Sequence, residues 1–373
     1  MKRSRLFDPR EYLEWRPDPA LVAEYARRIE ADPERGRTVA ALGRDDLLRL
    51  YRDLLLTRLH DIALKRWVRT GVISKAWLGT GEEAVTVGCS AALDPGRDLA
   101  LPMIRNAGAL HMMGMPLADM FRGYLATPDS PTGGRDLHIG RTSAEGAGVL
   151  QPISHMGTSA TVAAGAAIAF RKRGRVALTW IGDGAARTAA AHEGLVVAAA
   201  LGVPAVFVIQ NNQVALGTRL DQHTAGDLNA LPEVYGLPRR TCDGNNVLDV
   251  YAAAKQAVDL CRAGEGPAVL VADTFRMGGH ATHDEAEARA TFDDALFTAW
   301  GKRDPIGLYE EHLKGLGLTA DELKATEEQA EGDIEAAAAE ALTSRELEHD
   351  PRRAWYEGIT EGGVLHGLDL RPS

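Results

Sequence analysis

Two stretches decide the fold: Val176-Ala177-Leu178-Thr179-Trp180-Ile181-Gly182-Asp183-Gly184 and Ala205-Val206-Phe207-Val208-Ile209-Gln210-Asn211-Asn212. Each is a short apolar run that stops at polar, turn-forming residues. That pattern is expected of a strand buried on both faces of a parallel sheet. Between them, residues 189–201 are alanine-rich and long enough for one helix. Working outward, residues 160–171 read as a small-residue helix, 247–263 as another helix, and 268–274 as a third buried strand. Strand and helix alternate, so the expected fold class is α/β, a parallel sheet with helices on both faces.

The flanks are helical. Over 45–71, Leu47, Leu48, Tyr51, Leu54, Leu55, Leu59, Ile62, Ala63 and Trp67 recur at helical spacing and stop at Gly71, which predicts an amphipathic helix. Residues 82–92 and 116–124 read as further helices, and the Gly-, Pro- and Ser-rich stretch 127–148 as a long irregular loop. Residues 1–43 read as an N-terminal arm with one short helix near 19–31, laid on another surface. The tail helix, 320–347, carries the charge pattern of a solvated face. The division expected is an arm over 1–43, an α/β domain over 44–315 and a helical extension over 316–373.

Composition excludes several classes. The 373 residues hold 42 basic and 52 acidic side chains, a net charge of −10, which is the wrong sign for neutralising nucleic-acid phosphates. At 45% hydrophobic and 25% charged the chain is an ordinary globular one, not a disordered one. Cys89, Cys242 and Cys261 form no C-x-x-C pair, so they are expected as reduced core thiols of a cytoplasmic protein. The basic N-terminus leads into polar sequence rather than an apolar signal region, and no apolar run is long enough to span a membrane.

The chemistry is expected where the strands end. In open α/β sheets, ligands bind beyond the carboxyl ends of the strands. Asp183 and Asn212 stand just past two such ends, one helix-plus-strand unit apart. A carboxylate and an amide oxygen converging there make a hard-oxygen site suited to Mg²⁺ and phosphate oxygens. The glycines flanking Asp183 let backbone N–H groups approach a diphosphate at the start of the next helix. Taken singly, Gly-Asp-Gly and Asn-Asn also read as ordinary β-to-α turns.

Gly182-Asp183-Gly184 with Asn211-Asn212 resembles the thiamine diphosphate motif. The surroundings resemble the alpha subunit of the decarboxylating first component of 2-oxo acid dehydrogenase complexes. They include Gly81-Glu82-Glu83-Ala84, Leu93-Asp94-Pro95-Gly96, Arg105 with Gly108, Gly134-Arg135, Phe275-Arg276-Met277-Gly278-Gly279-His280 and Lys302-Arg303-Asp304-Pro305-Ile306. The resemblance runs from about residue 47 to 313. It implies oxidative decarboxylation of a 2-oxo acid, branched-chain or pyruvate, with acyl transfer to a lipoyl group on an acyltransferase component. It also implies that a beta subunit supplies part of the site, in an assembly of two alpha and two beta chains. The segment Trp67-Val68-Arg69-Thr70-Gly71 leans toward the branched-chain type.

Residue by residue, the resemblance implies that Asp183 and Asn212 hold Mg²⁺ by their side chains and Val214 by its carbonyl. Gly182, Gly184 and Ala185 would line the diphosphate, and Arg105 would contact it as a cation. Ser154 and Met156 would lie beneath the cofactor, one as a polar contact and one as the bulky support of its bent form. His280 would be the acid/base over the reacting carbon, a task suited to a group titrating near neutrality. His138 and His283 remain open between site and solvent, and His155 and His192 read as structural.

Several residues depart from that family's pattern. Ile104 stands where tyrosine is usual, Asn106 where an acid is usual, and Ala186-Arg187-Thr188-Ala189 where a more polar run is usual. Ala281 replaces the serine that commonly follows the histidine, so no phosphorylation switch operates there. These departures motivate a rival reading, a catalytically idle cofactor-binding subunit with a regulatory or scaffold role. A third reading, a nicotinamide dehydrogenase on a doubly wound sheet, needs a Gly-x-Gly-x-x-Gly turn after a strand and opening a helix, which the chain lacks.

Overall fold

The computed structural model of the chain describes residues 1–350. The last part of the expected C-terminal extension, 351–373, lies outside the described residues. Nine short strands form among the described residues: β1 (Leu99–Leu101), β2 (Arg141–Thr142), β3 (Gly148–Val149), β4 (Ala177–Gly182), β5 (Ala205–Asn211), β6 (Val214–Ala215), β7 (Thr218–Arg219), β8 (Thr241–Asp243) and β9 (Ala268–Asp273). Seven of them build one sheet in the order β2-β3-β1-β4-β5-β9-β8, and β6 and β7 form a separate hairpin. Every pairing in the large sheet is parallel except β2 with β3.

Alternation along the central strands sorts the core into two layers, because successive side chains of a strand point to opposite faces. Leu178, Trp180, Val206 and Val208 pack toward the helices Glu83–Ala91 and Val247–Ala263. Ala177, Ile181, Ala205, Phe207 and Ile209 pack toward Thr158–Phe170 and Ala189–Leu201. Those two helices are rich in alanine because they touch closely. A Cβ at Gly194 would collide with the backbone of Ala160 and Thr161. A third layer joins the predicted helix, observed as Arg44–Arg69, to Ala320–Thr343 through Leu54, Leu64, Trp67, Ile334 and Ala341.

The predicted central elements appear within a few residues of their expected bounds. The arm differs: it holds three helices, Arg10–Leu13, Pro19–Glu30 and Pro33–Ala40, and it folds onto its own chain. Tyr12, Tyr25 and Ile29 are buried. The tail helix is not wholly solvated either, since Leu323, Ala330, Ile334, Ala337, Ala338 and Ala341 are buried along one stripe. The stretch 127–148 contains β2 and a run of turns anchored by Ser130 and Thr132. All three cysteines are buried and free, as expected.

The arm, the long helix and the segment after the last strand meet at one buried cation. Arg58 is fully buried, bonded to Glu83 and 3.2 Å from Asp304 and 3.5 Å from Asp8. The Tyr12 ring covers its guanidinium at 4.8 Å. Removing one member of such a group strands the others without a partner, at a cost of about 3–5 kcal/mol. Arg58→Met should therefore lower unfolding stability by about 3–5 kcal/mol in urea titrations. A loss under about 1 kcal/mol, the value of a surface pair, would contradict this reading of the hub.

Candidate active site

The connection leaving β1 runs to β2 and then β3 on one side, and the connection leaving β4 runs to β5 on the other. The crevice between the ends of β1 and β4 is the point where winding reverses, the place such sheets bind ligands. Four strand ends deliver side chains there or beside it. Arg105 and Asn106 follow β1, Asp183 follows β4, Asn212 follows β5, and Arg276 to His280 follow β9. A Cβ placed on Gly182 would lie 3.9 Å from an Arg105 guanidinium nitrogen, so the strand end and that cation are within ordinary van der Waals range of each other.

A buried carboxylate organises these residues. Glu82, fully buried at the start of Glu83–Ala91, accepts from Asn212 Nδ2 at 2.8 Å and from Gln210 Nε2. Its other oxygen lies 3.2 Å from Arg105 Nε. Asn106 Nδ2 donates to Gln210 Oε1 at 2.9 Å and to Thr86 Oγ1 at 2.8 Å. The amide at Asn106 thus has a defined task, because an ionised acid there could not donate to Gln210. Glu82 also orients Asn212: with its amide nitrogen engaged, Asn212 keeps its oxygen for another partner, and only a long 3.4 Å contact from Val214 N reaches it.

Asp183 is 2% exposed. Oδ1 accepts from the Gly184 N–H at 2.7 Å, whereas Oδ2 is buried with no hydrogen-bond partner. Burial pushes its pKa up from the ordinary carboxylate value. The β6–β7 hairpin brings the remaining members close. A Cβ on Gly184 would come within 2.6 Å of the Ala215 methyl group, so the Asp183–Gly184 turn and the hairpin lie against each other. Gln213 and Leu216, with φ of 71° and 53°, hold left-handed backbone on either side of Val214 and Ala215. Non-glycine residues keep that conformation only where the surroundings enforce it. Arg276 does so at Leu216, donating to its carbonyl at 3.0 Å.

Burial, then the nearby Arg105, lowers the Arg276 pKa to about 10, which leaves it charged at neutral pH. His280 moves further. Burial first, then Arg105 and Arg276, push its pKa down to about 4, so the ring is a neutral imidazole at physiological pH. Its Nδ1 is buried without a partner.

Ser154 and Met156 sit apart from this cluster, on the exposed loop before Thr158–Phe170. The loop is pinned at Gly157, whose φ is 81° and where a Cβ would press into Thr188 and the Ala185 carbonyl. Ala185 opens the short turn after Asp183, so the loop borders the site. Ser154 Oγ is 3.1 Å from His138 Nε2, and His138 Nδ1 is 2.9 Å from Asp136 Oδ1, which joins the open residue His138 to the loop. His192 pairs with the Tyr235 hydroxyl at 3.0 Å, and His155 and His283 are exposed.

Sequence reading assigned no role to Glu82, Gln210, Arg276 or His223. Glu82 and Arg276 lie inside quoted motifs, but nothing in a linear pattern separates a buried acid from an exposed one. His223 ends the short helix Leu220–His223, and its Nε2 lies 3.9 Å from Asp183 Oδ2. Among the described residues there is no group of three or more His, Cys, Asp or Glu side chains able to hold a metal. Of the residues expected to hold a cation, Asp183 alone is an acid; Asn212 would offer an amide oxygen and Val214 a backbone one.

Residues 51–350 match the family model described as the dehydrogenase E1 component. The chain belongs to that family. The pyruvate dehydrogenase E1 component subunit alpha of Staphylococcus aureus (strain Mu50 / ATCC 700699) is 34% identical over 309 residues, covering 80% of this chain and 78% of that protein. Its namesake from Acholeplasma laidlawii is 32% identical over 285 residues, 75% and 79% of the two chains. The 2-oxoisovalerate dehydrogenase subunit alpha of Bacillus subtilis (strain 168) is 31% identical over 286 residues, 74% and 84%. This E1 chain is the alpha subunit of a thiamine diphosphate-dependent 2-oxo acid dehydrogenase, an oxidoreductase of oxidative decarboxylation. Nothing in its likeness to these proteins favours the idle-subunit reading. The site fits the cofactor's diphosphate end: an orphaned carboxylate oxygen, an oriented amide oxygen, a buried arginine and two glycines at a strand end.

The His280 environment is directly measurable. In histidine-labelled protein complexed with its beta chain, the NMR titration midpoint of His280 should lie near 4. Arg276→Gln should raise it, because removing a neighbouring positive charge favours the imidazolium. A midpoint near 6.5 that ignores the substitution would contradict the electrostatics described here.

Proposed function

We propose that this subunit carries the Mg²⁺-diphosphate half of a site completed by a beta chain, in an assembly of two alpha and two beta chains in the cytoplasm. The observation that supports it best is the convergence of Asp183 Oδ2, Asn212 and Arg105 around buried Glu82 at the point where the sheet's winding reverses. The substrate is a 2-oxo acid, pyruvate or a branched-chain one, and the acyl product passes to the lipoyl group of an acyltransferase component. Relatives bearing both substrate names support that pair of candidates.

Asp183 and Asn212 hold the cation by side chain and Val214 by its carbonyl. Arg105 faces the diphosphate with the guanidinium nitrogens that Glu82 does not engage, and Gly182, Gly184 and Ala185 leave its backbone approach open. When bound, thiamine diphosphate supplies the carbon nucleophile and electron sink that make loss of CO₂ possible. His280, neutral at working pH, offers a lone pair rather than a charge. It accepts or positions a proton and does not add a third cation beside Arg105 and Arg276. Ser154 would offer the cofactor a polar contact, and Met156, 56% exposed in this chain alone, would be its bulky support.

The test is turnover of the alpha chain co-expressed with its beta partner, with thiamine diphosphate, Mg²⁺ and an artificial electron acceptor. Pyruvate and 3-methyl-2-oxobutanoate are offered in parallel. Activity should need both chains, and Asp183→Ala should lower it by more than about 100-fold, beyond the loss typical of outer-sphere changes. Cofactor binding without turnover would instead support the idle subunit.

A further inference from the structure

We propose that His223 is a nitrogen ligand to the divalent cation held by Asp183, so that this site takes Mn²⁺ and related borderline metals in preference to Mg²⁺. The inference rests on the proposed cation site and names a member of it that no oxygen set includes. Two buried atoms face each other with no hydrogen-bond partner, His223 Nε2 and Asp183 Oδ2, at 3.9 Å. That separation is too long for a hydrogen bond. A cation bonded to both at about 2.1 Å would hold them about 3.0 Å apart as adjacent ligands and about 4.2 Å apart as opposite ones, so the gap lies within the range one shared metal ion can bridge. The other ring nitrogen, Nδ1, is 3.1 Å from the Thr224 hydroxyl. Nδ1–H donation to that oxygen leaves a bare lone pair on Nε2, the arrangement metal-bound histidines use.

Placement supports the pairing. His223 ends the helix that directly follows the β6–β7 hairpin, and the Leu220 N–H donates to the Gln213 carbonyl at 2.9 Å, tying that helix to the residue after Asn212. Its side chain is 15% exposed, so a metal there would be shielded by the hairpin rather than open to bulk water. An imidazole added to an oxygen set changes selectivity. Mg²⁺ demands oxygen and gains little from nitrogen, whereas Mn²⁺, Co²⁺ and Zn²⁺ bind it more tightly along the series.

The experiment uses the complex of alpha and beta chains loaded with thiamine diphosphate and Mn²⁺, examined by electron spin-echo envelope modulation. Modulation from a directly bound nitrogen is expected, and it should vanish in His223→Gln. The same substitution should weaken Mn²⁺ at least about tenfold while changing Mg²⁺ less. Should that variant fail to fold, ¹⁵N-histidine labelling of the parent complex should shift the modulation frequency. Mn²⁺ bound tightly without nitrogen modulation, or with modulation that survives His223→Gln or ignores the label, overturns the proposal and leaves the oxygen site intact. Failure of the parent complex to bind any divalent cation with the cofactor present overturns both.

Discussion

The site depends on one buried carboxylate that the fold cannot leave unpaired. Glu82 is fully enclosed, and its two oxygens are divided between an arginine from the end of β1 and two amides from the end of β5. An ionised group in that position is tolerable only if its hydrogen bonds are complete. The requirement therefore fixes Arg105, Gln210 and Asn212 relative to one another before any ligand arrives. Its neighbour Glu83 faces the other way, to Arg58, and also accepts from the Gly81 N–H at 2.9 Å. Two adjacent acids thus connect the ligand end of the sheet to the hub that holds the arm, the long helix and Asp304. The short turn carrying them leaves little room. Gly81, with φ of 97°, lies beneath the Phe275 carbonyl and the Met277 side chain, where a Cβ would collide.

Two buried cations, Arg105 and Arg276, stand at the mouth of the site beside the carboxylates Glu82 and Asp183. Burial, with the two arginines, keeps His280 neutral. Arginines so placed are well matched to a diphosphate, which carries the opposite charge and accepts several hydrogen bonds. Of the departures from the family pattern, Asn106 completes this arrangement through its bonds to Gln210 and Thr86. Arg187 is exposed beside the short turn after Asp183, and nothing in the chain by itself explains it.

The central strands were legible because buried parallel strands are nearly uniform apolar runs, and the residues just past them were legible because chemistry collects at strand ends. Asp183 and Asn212 are readable for that reason. Glu82, Gln210 and His223 are not. Their importance comes from which elements the sheet brings side by side, β1 beside β4 and β9 beside β5, and that order is absent from a linear pattern. The arm was expected to carry one short helix and to lie on another surface. It carries three, and Tyr12, Tyr25 and Ile29 are buried against a surface that the folded body of the same chain provides. The histidine titrating near neutrality that residue type alone suggests gives way to burial, and after it to the two buried arginines nearby.

The central claim is that Glu82 couples Arg105 to the cation-binding strand end. A double-mutant cycle on thiamine diphosphate affinity tests it most directly, using Glu82→Gln, Arg105→Lys and the pair in the alpha–beta complex. If the carboxylate positions the arginine, the two losses should not add, with an interaction energy of about 0.5–3 kcal/mol. Losses that add within about 0.3–0.5 kcal/mol would mean that the two residues act independently, and would contradict the account.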